Sequence, residues 1–286
     1  MVKLYPPIIR SDFASETEVR AALHACGSAV PFPRILASGV LQDRLEWAYI
    51  IEEFRPGQAT RDVWGSLDRA DRDSLSAQVA CILRDLHSTP LSLLPTLQLS
   101  AADWREQARG RARACTDEIS AAEMLPGARL PDSLIGDVRR FMDARVGRLI
   151  GSVGEGSLRL LHSDMTEDHV LVERSGIDEN PWHITALIDY GDAKVGPPEE
   201  EWVVLWVGLL MQDPVAMRAF FRSYGQGTQG KEVDPACPAF REAVLAFTLL
   251  HRFNWAIIRE VVRRAGVHPS SLTSLESLEG IMWPPA

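Results

Sequence analysis

The sequence predicts an α+β fold in two lobes, a small mixed lobe over residues 1–56 and a larger, mostly helical lobe over residues 57–286. Two patterns support this prediction. Strand-like apolar runs and one helical stripe share the first 56 residues, whereas helical spacing dominates the rest and is interrupted by a few short strands. The segment Arg55–Gln58 contains a Pro-Gly pair and marks the linker between the two parts.

The small lobe is predicted to contain two strands and one helix. The apolar runs Val2–Tyr5 and Trp47–Ile51 have the length and composition of strands. The segment Ser15–Ala25 has helical spacing, with four small or apolar side chains on one stripe: Val19, Ala22, Leu23 and Cys26. Prolines at positions 31 and 33 end the helical pattern.

The larger lobe is predicted to hold several helices and three short strands. One helix follows the candidate caps Asp68 and Asp71, with apolar residues at helical spacing from Leu75 to Leu86. The other predicted helices are Leu134–Leu149, the buried segment Trp202–Met211 and a long helix at Ala239–Arg264. The predicted strands are Leu158–Leu161, Val170–Val172 and Ile184–Ile188, and Gly225–Asp234 is a predicted polar loop.

Composition and charge narrow the classes of function. The chain has 30 lysines and arginines against 39 aspartates and glutamates, a net charge of −9. Such a protein is poorly suited to nucleic acid or anionic lipid and is better suited to a cationic small molecule. Its four cysteines are scattered without a CxxC pair, which favours free thiols in a reducing, cytoplasmic compartment. No run of about 18 apolar residues predicts a membrane span.

Two histidines and three carboxylates stand together in the turn LHSDMTEDHVLV, residues 161–172. Because unpaired buried charge is unfavourable, such a cluster normally faces water or a ligand. His162-x-Asp164 is followed by His169, and a D-Y-G triplet begins at Asp189, after the next strand. This order and spacing resemble a kinase active site, in which a catalytic loop precedes a metal-binding triplet.

The kinase resemblance assigns a role to each of these residues. Asp164 is the expected base, which accepts the proton of the attacking hydroxyl, and His162 supports its loop. Asp189 is the expected main ligand of Mg²⁺. His169 stands where kinases have Asn and is the expected second metal ligand, although oxygen donors suit magnesium better than imidazole.

Over nearly its whole length, the sequence resembles the aminoglycoside phosphotransferase family of kinase-like small-molecule kinases. That family commonly has HGDxxxxN followed by a metal-binding strand, and the matching stretches here are HSDMTEDH and IDYGDAKVGPPEEEW. The start VKLYPP resembles the strand that carries the ATP-binding lysine, which would be Lys3. Glu16, in SETEVRAAL, would pair with this lysine. Glu18 is its rival, but only Glu16 lies at helix spacing with Val19 and Leu23.

Other segments extend the resemblance and imply a function. AYIIEEFRPG is similar to the hinge strand, so that the backbone of Glu52, Glu53 and Phe54 would face adenine. AFTLLHRF and the closing MWPPA are most similar to the hygromycin B kinases of the family. The resemblance implies a protein-kinase-like fold, and an ATP- and Mg²⁺-dependent enzyme that phosphorylates a hydroxyl of an aminoglycoside-like compound and confers antibiotic resistance.

The sequence departs from the family pattern at three places. Family members have two strands and a phosphate-covering turn before the lysine strand, where this chain has only Met1 and Val2. Either the natural start lies upstream or the N-terminal lobe is truncated and binds ATP without this cover. Ser163 replaces a glycine, a small change that we expect to be harmless. Pro197 replaces an acid, which Glu201 or its neighbours would supply.

Six acidic residues near the expected base suit a cationic, sugar-containing substrate. They are Glu167, Asp168, Asp192, Glu199, Glu200 and Glu201. Two alternatives stay open. The same scaffold could phosphorylate another hydroxylated metabolite, or the chain could be a non-catalytic, pseudokinase-like protein that only binds a ligand.

Overall fold

The computed structural model describes residues 1–176, 182–225, 234–235 and 237–284. The chain begins with a three-stranded antiparallel sheet of β1 (Val2–Tyr5), β2 (Ile35–Gln42) and β3 (Glu46–Glu52), in the order β1-β3-β2. Helix α1 (Arg10–Ala25) packs on one face of this sheet. Lys3 of β1 lies opposite Ile50 of β3. Its side chain reaches Asp189, which belongs to the larger part of the molecule.

Two features of this first sheet were not predicted correctly. The strand β2 was missed, because its sequence ILASGVLQ lacks apolar alternation and almost all of it is exposed at the sheet edge. Helix α1 begins at Arg10, five residues before the predicted start at Ser15, since a short 3₁₀ turn at Pro7–Ile9 leads directly into it. The strand predictions Val2–Tyr5 and Trp47–Ile51 are confirmed.

The rest of the described chain is mostly helical. Its longer helices are α3 (Arg69–His87), α4 (Ala101–Ala121), α5 (Asp132–Phe141), α8 (Pro214–Gly225), α9 (Pro238–Leu250), α10 (Asn254–Ala265) and α11 (Leu275–Met282), with the short helices α2 (Thr60–Val63), α6 (Gly147–Ser152) and α7 (Glu199–Val204). The predicted cap of α3 is confirmed, since the Asp68 side chain accepts a hydrogen bond from the Asp71 N–H at 2.8 Å.

Short strands position the loops that carry the charged cluster. They are β4 (Gln58–Ala59), β5 (Arg159–Leu161), β6 (Val170–Arg174), β7 (Trp182–Leu187) and β8 (Lys194–Gly196). The strand β6 pairs antiparallel with β4 and β7, and β5 pairs with β8. The predicted strands at residues 158–161, 170–172 and 184–188 are therefore confirmed within one or two residues. The end of β5, the start of β6 and the end of β7 lie at one side of the molecule, where the site is built.

The prediction of one long helix at Ala239–Arg264 is wrong. This segment forms two helices, α9 and α10, separated by a turn at His251–Phe253, where the backbone of His251 is extended. The Asn254 side chain stabilises this break by donating to the Leu249 carbonyl at 3.1 Å. Helix α4 was missed because its buried side chains are few and widely spaced in a sequence rich in alanine and arginine.

One apolar core joins most of these elements. Val19 and Leu23 of α1 belong to the same buried cluster as the helices of the larger lobe, whereas Tyr5, Ala48 and Ile50 form a small second cluster in the first sheet. The division into lobes at residue 56 stays a prediction. Residues 226–233, most of the predicted polar loop, lie outside the described residues. None of the described helices is both long and apolar enough to cross a membrane.

Candidate active site

The side chain of His162 connects the two loops that carry the predicted catalytic and metal-binding aspartates. The ring is fully buried, and burial lowers the pKa of His162 to about 4, so the imidazole is neutral at pH 7. Its Nε2 donates to the Ile188 carbonyl at 3.0 Å, and its Nδ1 accepts the Asp164 N–H at 3.3 Å. His162 therefore fixes the backbone next to Asp189 and the backbone of Asp164 at the same time.

Glu201 anchors the catalytic loop and is not a surface acid. Its side chain is fully buried; Oε2 accepts the His162 N–H at 2.7 Å and Oε1 the Ser163 N–H at 3.0 Å. Burial opposes ionisation, but interactions with His87 and His162 hold the pKa of Glu201 below its usual value. The expectation that Glu201 contacts substrate is corrected, because neither oxygen reaches the solvent. Ser163 has a φ of 66°, a left-handed conformation that favours the glycine of the family pattern.

We expect that Glu201→Gln lowers the free energy of unfolding by about 2–4 kcal/mol, because a neutral amide cannot accept both backbone N–H groups. Urea denaturation measures this loss. The matched control is Glu200→Gln, the next residue, whose carboxylate pairs with Lys194 at the edge of a cavity. We expect that the control costs less than about 1 kcal/mol, because the amide oxygen of the new side chain can still accept the Trp104 Nε1–H and only the ion pair with the half-exposed Lys194 is lost. Equal losses in the two variants would show that Glu201 is not the loop anchor.

Asp164, His169 and Asp189 form one cluster of side chains. The ring of His169 lies between the two carboxylates, with Nδ1 at 3.3 Å from Asp164 Oδ2 and Nε2 at 3.8 Å from Asp189 Oδ2. Burial is the main cause that raises the pKa of Asp164, and the nearby charges of Asp192 and Asp189 add to it. Burial opposes ionisation of Asp189 as well, but the ammonium of Lys3, 3.5 Å from Oδ1, and the ring of His169 lower the pKa of Asp189. The two aspartates thus differ in basicity.

The hydrogen bonds of His169 determine which ring nitrogen faces Asp189. Its Nδ1 lies 2.7 Å from the backbone carbonyl of Asp164, which can only accept, so Nδ1 carries the proton. When the ring carries this single proton, the lone pair of Nε2 lies on the side of Asp189. Among the described residues, no group of three or more His, Cys, Asp or Glu side chains could hold a metal. One carboxylate and one imidazole fit a divalent cation that is bound mainly through phosphate oxygens and water.

Lys3 is held by a buried chain of charged side chains. Its Nζ lies 2.9 Å from Glu16 Oε1, and the Tyr5 hydroxyl donates to the other oxygen of Glu16. Arg20 bridges Glu16, at 2.8 Å, to the buried carboxylate of Glu52. Because each charge has a partner of opposite sign, the network can remain ionised inside the protein. It directs Lys3 towards Asp189.

Fewer backbone N–H and C=O groups of the predicted hinge are free to bind a ligand than expected. The Glu52 N–H donates to the Met1 carbonyl at 2.9 Å, and its carbonyl accepts the N-terminal ammonium group at 2.7 Å. The Glu53 N–H donates to the Arg34 carbonyl at 2.9 Å. The expectation that all three hinge residues offer backbone groups to adenine is therefore corrected. The Glu53 carbonyl and the Phe54 N–H have no hydrogen-bond partner among the described residues and stay candidates.

A cavity of about 320 Å³ opens beside Asp164, between the 164–168 loop, the turn at Leu205–Leu209 and helix α10. Glu167 and Asp168 line it, as expected of substrate contacts. A second cavity, of about 360 Å³, lies on the other side of the 251–253 turn, and Glu200 lines it. The remaining predicted acids are placed differently: Asp192 pairs with Arg252, and Glu199 lines neither cavity.

Sequence reasoning missed several residues of this region. Arg20 lies four residues after Glu16, a helical ion-pair spacing that could have identified it. The rival Glu18 instead accepts the Thr96 N–H at 2.7 Å, on another side of α1. The roles of Tyr5 and Arg264 depend on contacts between segments distant in sequence, for which the sequence gives no signal.

Comparisons with known proteins identify the family and the fold. The model of the phosphotransferase enzyme family matches residues 1–240. A GDP complex of aminoglycoside 2'-phosphotransferase-IIIa has a TM-score of 0.66 at 19% identity, covering 98% of this chain and 86% of that one. A ternary complex of a thermostable mutant of aminoglycoside phosphotransferase APH(4)-Ia with ADP and hygromycin B has a TM-score of 0.57 at 15% identity, with 94% and 82% covered. No curated protein matches the chain in sequence.

The family match covers well over half of the chain, and the structural similarity extends over both lobes. The described elements are a small sheet with one helix, followed by a larger helical part with short strands. The chain therefore belongs to the phosphotransferase enzyme family and has the kinase-like α+β fold of the aminoglycoside phosphotransferases.

Proposed function

We propose that this protein transfers the γ-phosphoryl group of ATP to a hydroxyl group of a small molecule, with Mg²⁺ as the metal ion. The observation that supports this most strongly is the placement of Asp164 and Asp189 on either side of the His169 ring, with Lys3 3.5 Å from Asp189. A base, a metal-binding carboxylate and a phosphate-binding cation are the three groups that phosphoryl transfer requires.

In the proposed reaction, Asp164 accepts the proton of the acceptor hydroxyl while its oxygen attacks the γ-phosphorus. The bond between the γ-phosphorus and the bridging oxygen breaks, and ADP leaves with that electron pair. Asp189 and His169 would hold the metal ion, which neutralises charge on the phosphates when it is bound. Lys3, directed by Glu16, binds a phosphate oxygen as a mobile cation.

The neutral ring of His162 is a positioning group in this mechanism. It contacts the backbone of both loops but neither carboxylate, so it fixes the separation of Asp164 and Asp189. The raised pKa of Asp164 makes this carboxylate a better base than an ordinary aspartate. The lowered pKa of Asp189 keeps its oxygens free of protons for a cation.

The acceptor implied by the resemblance is an aminoglycoside of the hygromycin B type. Related structures contain kanamycin or hygromycin B together with a nucleotide. In this chain, the cavity beside Asp164 is the place where an acceptor hydroxyl would reach the base. Its volume lies in the range of small-molecule sites. The charge of an acceptor that fits this cavity depends on how the acids of the cavity are paired.

Nucleotide binding by Lys3 tests the proposed function. We expect that ATP with Mg²⁺ binds the wild-type protein in isothermal titration calorimetry, and that Lys3→Met weakens binding at least tenfold because it removes the cation that faces Asp189. The matched control is Lys194→Met, which removes a lysine paired with Glu200 and should change the affinity less than threefold. GTP is titrated in parallel, since related structures contain GDP or ADP.

A protein that binds neither ATP nor GTP, or whose Lys3→Met variant binds them as well as the wild type does, would contradict this proposal. A non-catalytic ligand-binding protein is the second candidate, and one observation favours it. His169 places a nitrogen donor, not an oxygen donor, beside Asp189. A thermal shift with a sugar ligand but with no nucleotide would support that candidate.

A further inference from the structure

The acids of the cavity beside Asp164 are already paired with arginines of the protein. Arg61 lies 2.7 Å from Asp168 Oδ1, and Arg264 lies 3.6 Å from Glu167 Oε1. The contact with Asp168 is an ion pair without hydrogen-bond geometry, and this oxygen is buried and has no hydrogen-bond partner among the described residues. Both carboxylates that were expected to bind ammonium groups are thus neutralised by residues on neighbouring elements.

The fourth carboxylate of the cavity, Glu260, is paired even more closely. Arg263 lies 2.6 Å from Glu260 and Arg264 lies 2.7 Å from it. Arg264 also donates to the Val207 carbonyl, so its guanidinium is fixed at the cavity wall. Among the described residues that line this cavity, Asp164 is the one carboxylate without an arginine or lysine within 4.0 Å.

The charged residues of the second cavity, across the 251–253 turn, are paired as well. Arg111, Lys194 and Arg252 line it, together with a single acid, Glu200. Burial, followed by the charges of Lys194, Arg252 and Arg111, lowers the pKa of the intervening His251 to about 3. The imidazole therefore stays neutral at pH 7. Arg111 pairs with Glu118, Lys194 with Glu200 and Arg252 with Asp192, so the described residues that line this cavity offer no unpaired carboxylate to an ammonium group.

The remaining wall of the cavity beside Asp164 is apolar. Val204 and Val207 form one side, and Phe253, Ala256 and Ile257 form the other. Phe253 is 45% exposed, with Arg252 stacked 4.6 Å from its ring centre, so a large aromatic surface is held at the entrance. Such a surface gains free energy from contact with an apolar part of a ligand.

From this arrangement we infer that the acceptor is an uncharged hydroxylated compound with an apolar group, and not a polycation. The hydroxyl would lie at Asp164 and the apolar group against Phe253 and Ile257. An ammonium group at Glu167 or Asp168 would share the carboxylate with an arginine that is already there, so repulsion by the guanidinium would offset most of the attraction. This inference rests on the proposed function, since it concerns the acceptor of the same reaction.

Two sugars that differ in charge and apolar area test the inference. Binding of hexyl β-D-glucoside and of kanamycin is measured by calorimetry in the presence of a non-hydrolysable ATP analogue, and phosphorylation is measured with labelled ATP. Methyl β-D-glucoside, which lacks the long apolar chain, is the control ligand. We expect that hexyl glucoside binds at least tenfold more tightly than methyl glucoside and than kanamycin, and that it is the one that accepts phosphate.

Substitution of Arg61, which pairs with Asp168, provides a second test of the inference. Arg61→Gln leaves Asp168 without its arginine and should tighten kanamycin binding about fivefold while hexyl glucoside binding stays within twofold. The matched control, Arg69→Gln, breaks an exposed pair with Asp213 away from both cavities and should change neither affinity. Arg61 and Arg69 are both partly exposed, so both variants are expected to fold.

The outcomes separate this inference from the proposed function. Tighter binding of kanamycin than of hexyl glucoside, phosphorylation of kanamycin, or binding of neither sugar to a protein that binds ATP would overturn the inference and leave the nucleotide chemistry standing. Unchanged kanamycin affinity in Arg61→Gln would also overturn it. Absence of nucleotide binding, in contrast, is a failure of the proposed function itself.

Discussion

Asp164→Asn is expected to reduce phosphoryl transfer by about 10²–10⁴-fold while nucleotide affinity stays within threefold of the wild type. The amide cannot accept the proton of the acceptor hydroxyl, and a positioned base contributes a factor of this size. The amide still fills the space beside His169, so the loop held by Glu201 and His162 keeps its conformation. Initial rates with labelled ATP and an accepted substrate measure the loss, and calorimetry measures nucleotide binding.

The control for this variant is Asp168→Asn, which changes a second carboxylate in the same loop and cavity. Asp168 is paired with Arg61 and lies outside the group formed by Asp164, His169 and Asp189, so we expect a loss of at most about tenfold. If Asp164→Asn retains more than a tenth of the wild-type rate, or if the two variants lose activity equally, Asp164 is not the base.

Asp189→Ala is expected to lower transfer by about 10³-fold and, unlike Asp164→Asn, to weaken the binding of ATP with a divalent cation at least tenfold. Its carboxylate lies 3.8 Å from His169 Nε2 and 3.5 Å from Lys3 Nζ, so its loss removes the proposed metal ligand and one of the two acidic partners of Lys3. Titration of Mn²⁺ followed by electron paramagnetic resonance, with and without ATP, measures the loss of the bound cation.

The two aspartate variants should fail at different steps, and this difference tests the proposed mechanism. The Asp164 variant should bind the metal–nucleotide complex and fail to transfer phosphate, whereas the Asp189 variant should fail at binding. Calorimetry without metal gives the control, because the Asp189 carboxylate should then matter little for ATP. Equal Mn²⁺ affinity in the wild type and in Asp189→Ala would contradict the assignment of Asp189 as a metal ligand.

The sequence predicted the centre of the site better than its surroundings. The spacing of His162, Asp164, His169 and Asp189 follows short strands, and these strands form where apolar runs predict them. The positions of the loop residues are therefore set locally, by chain segments of a few residues. The pairing of Lys3 with Glu16 was predicted from the family resemblance, and the helical stripe shared with Val19 and Leu23 favoured Glu16 over Glu18. Their chemical roles stay proposals until the variants are measured.

The acidic residues show why the rest could not be predicted. In the sequence, Glu167, Asp168 and Glu201 look alike, as acids near an expected base. In the structure, Glu201 is buried under the loop, while Glu167 and Asp168 meet arginines that are about 100 residues away in the chain. Ion pairs between distant segments leave no periodic signal, so the charge that a ligand meets cannot be derived from local composition.

The break between α9 and α10 had a larger consequence for the site than any other error in secondary structure. Apolar spacing continues across residues 251–253, so the sequence predicted one helix. The turn instead places His251 and Phe253 in the cavity beside Asp164 and Arg252 in the next one. A hydrogen bond from the Asn254 side chain, which no spacing rule identifies, stabilises this arrangement.

A crystal structure with Mn²⁺ and a non-hydrolysable ATP analogue is the most direct measurement of the central claim, because anomalous scattering locates the metal independently of the protein atoms. The account predicts a Mn²⁺ ion about 2.1 Å from an oxygen of Asp189, and the terminal phosphate between that ion and the Asp164 carboxylate. A nucleotide whose terminal phosphate lies away from Asp164 and Asp189, or a metal that does not contact Asp189, would contradict it.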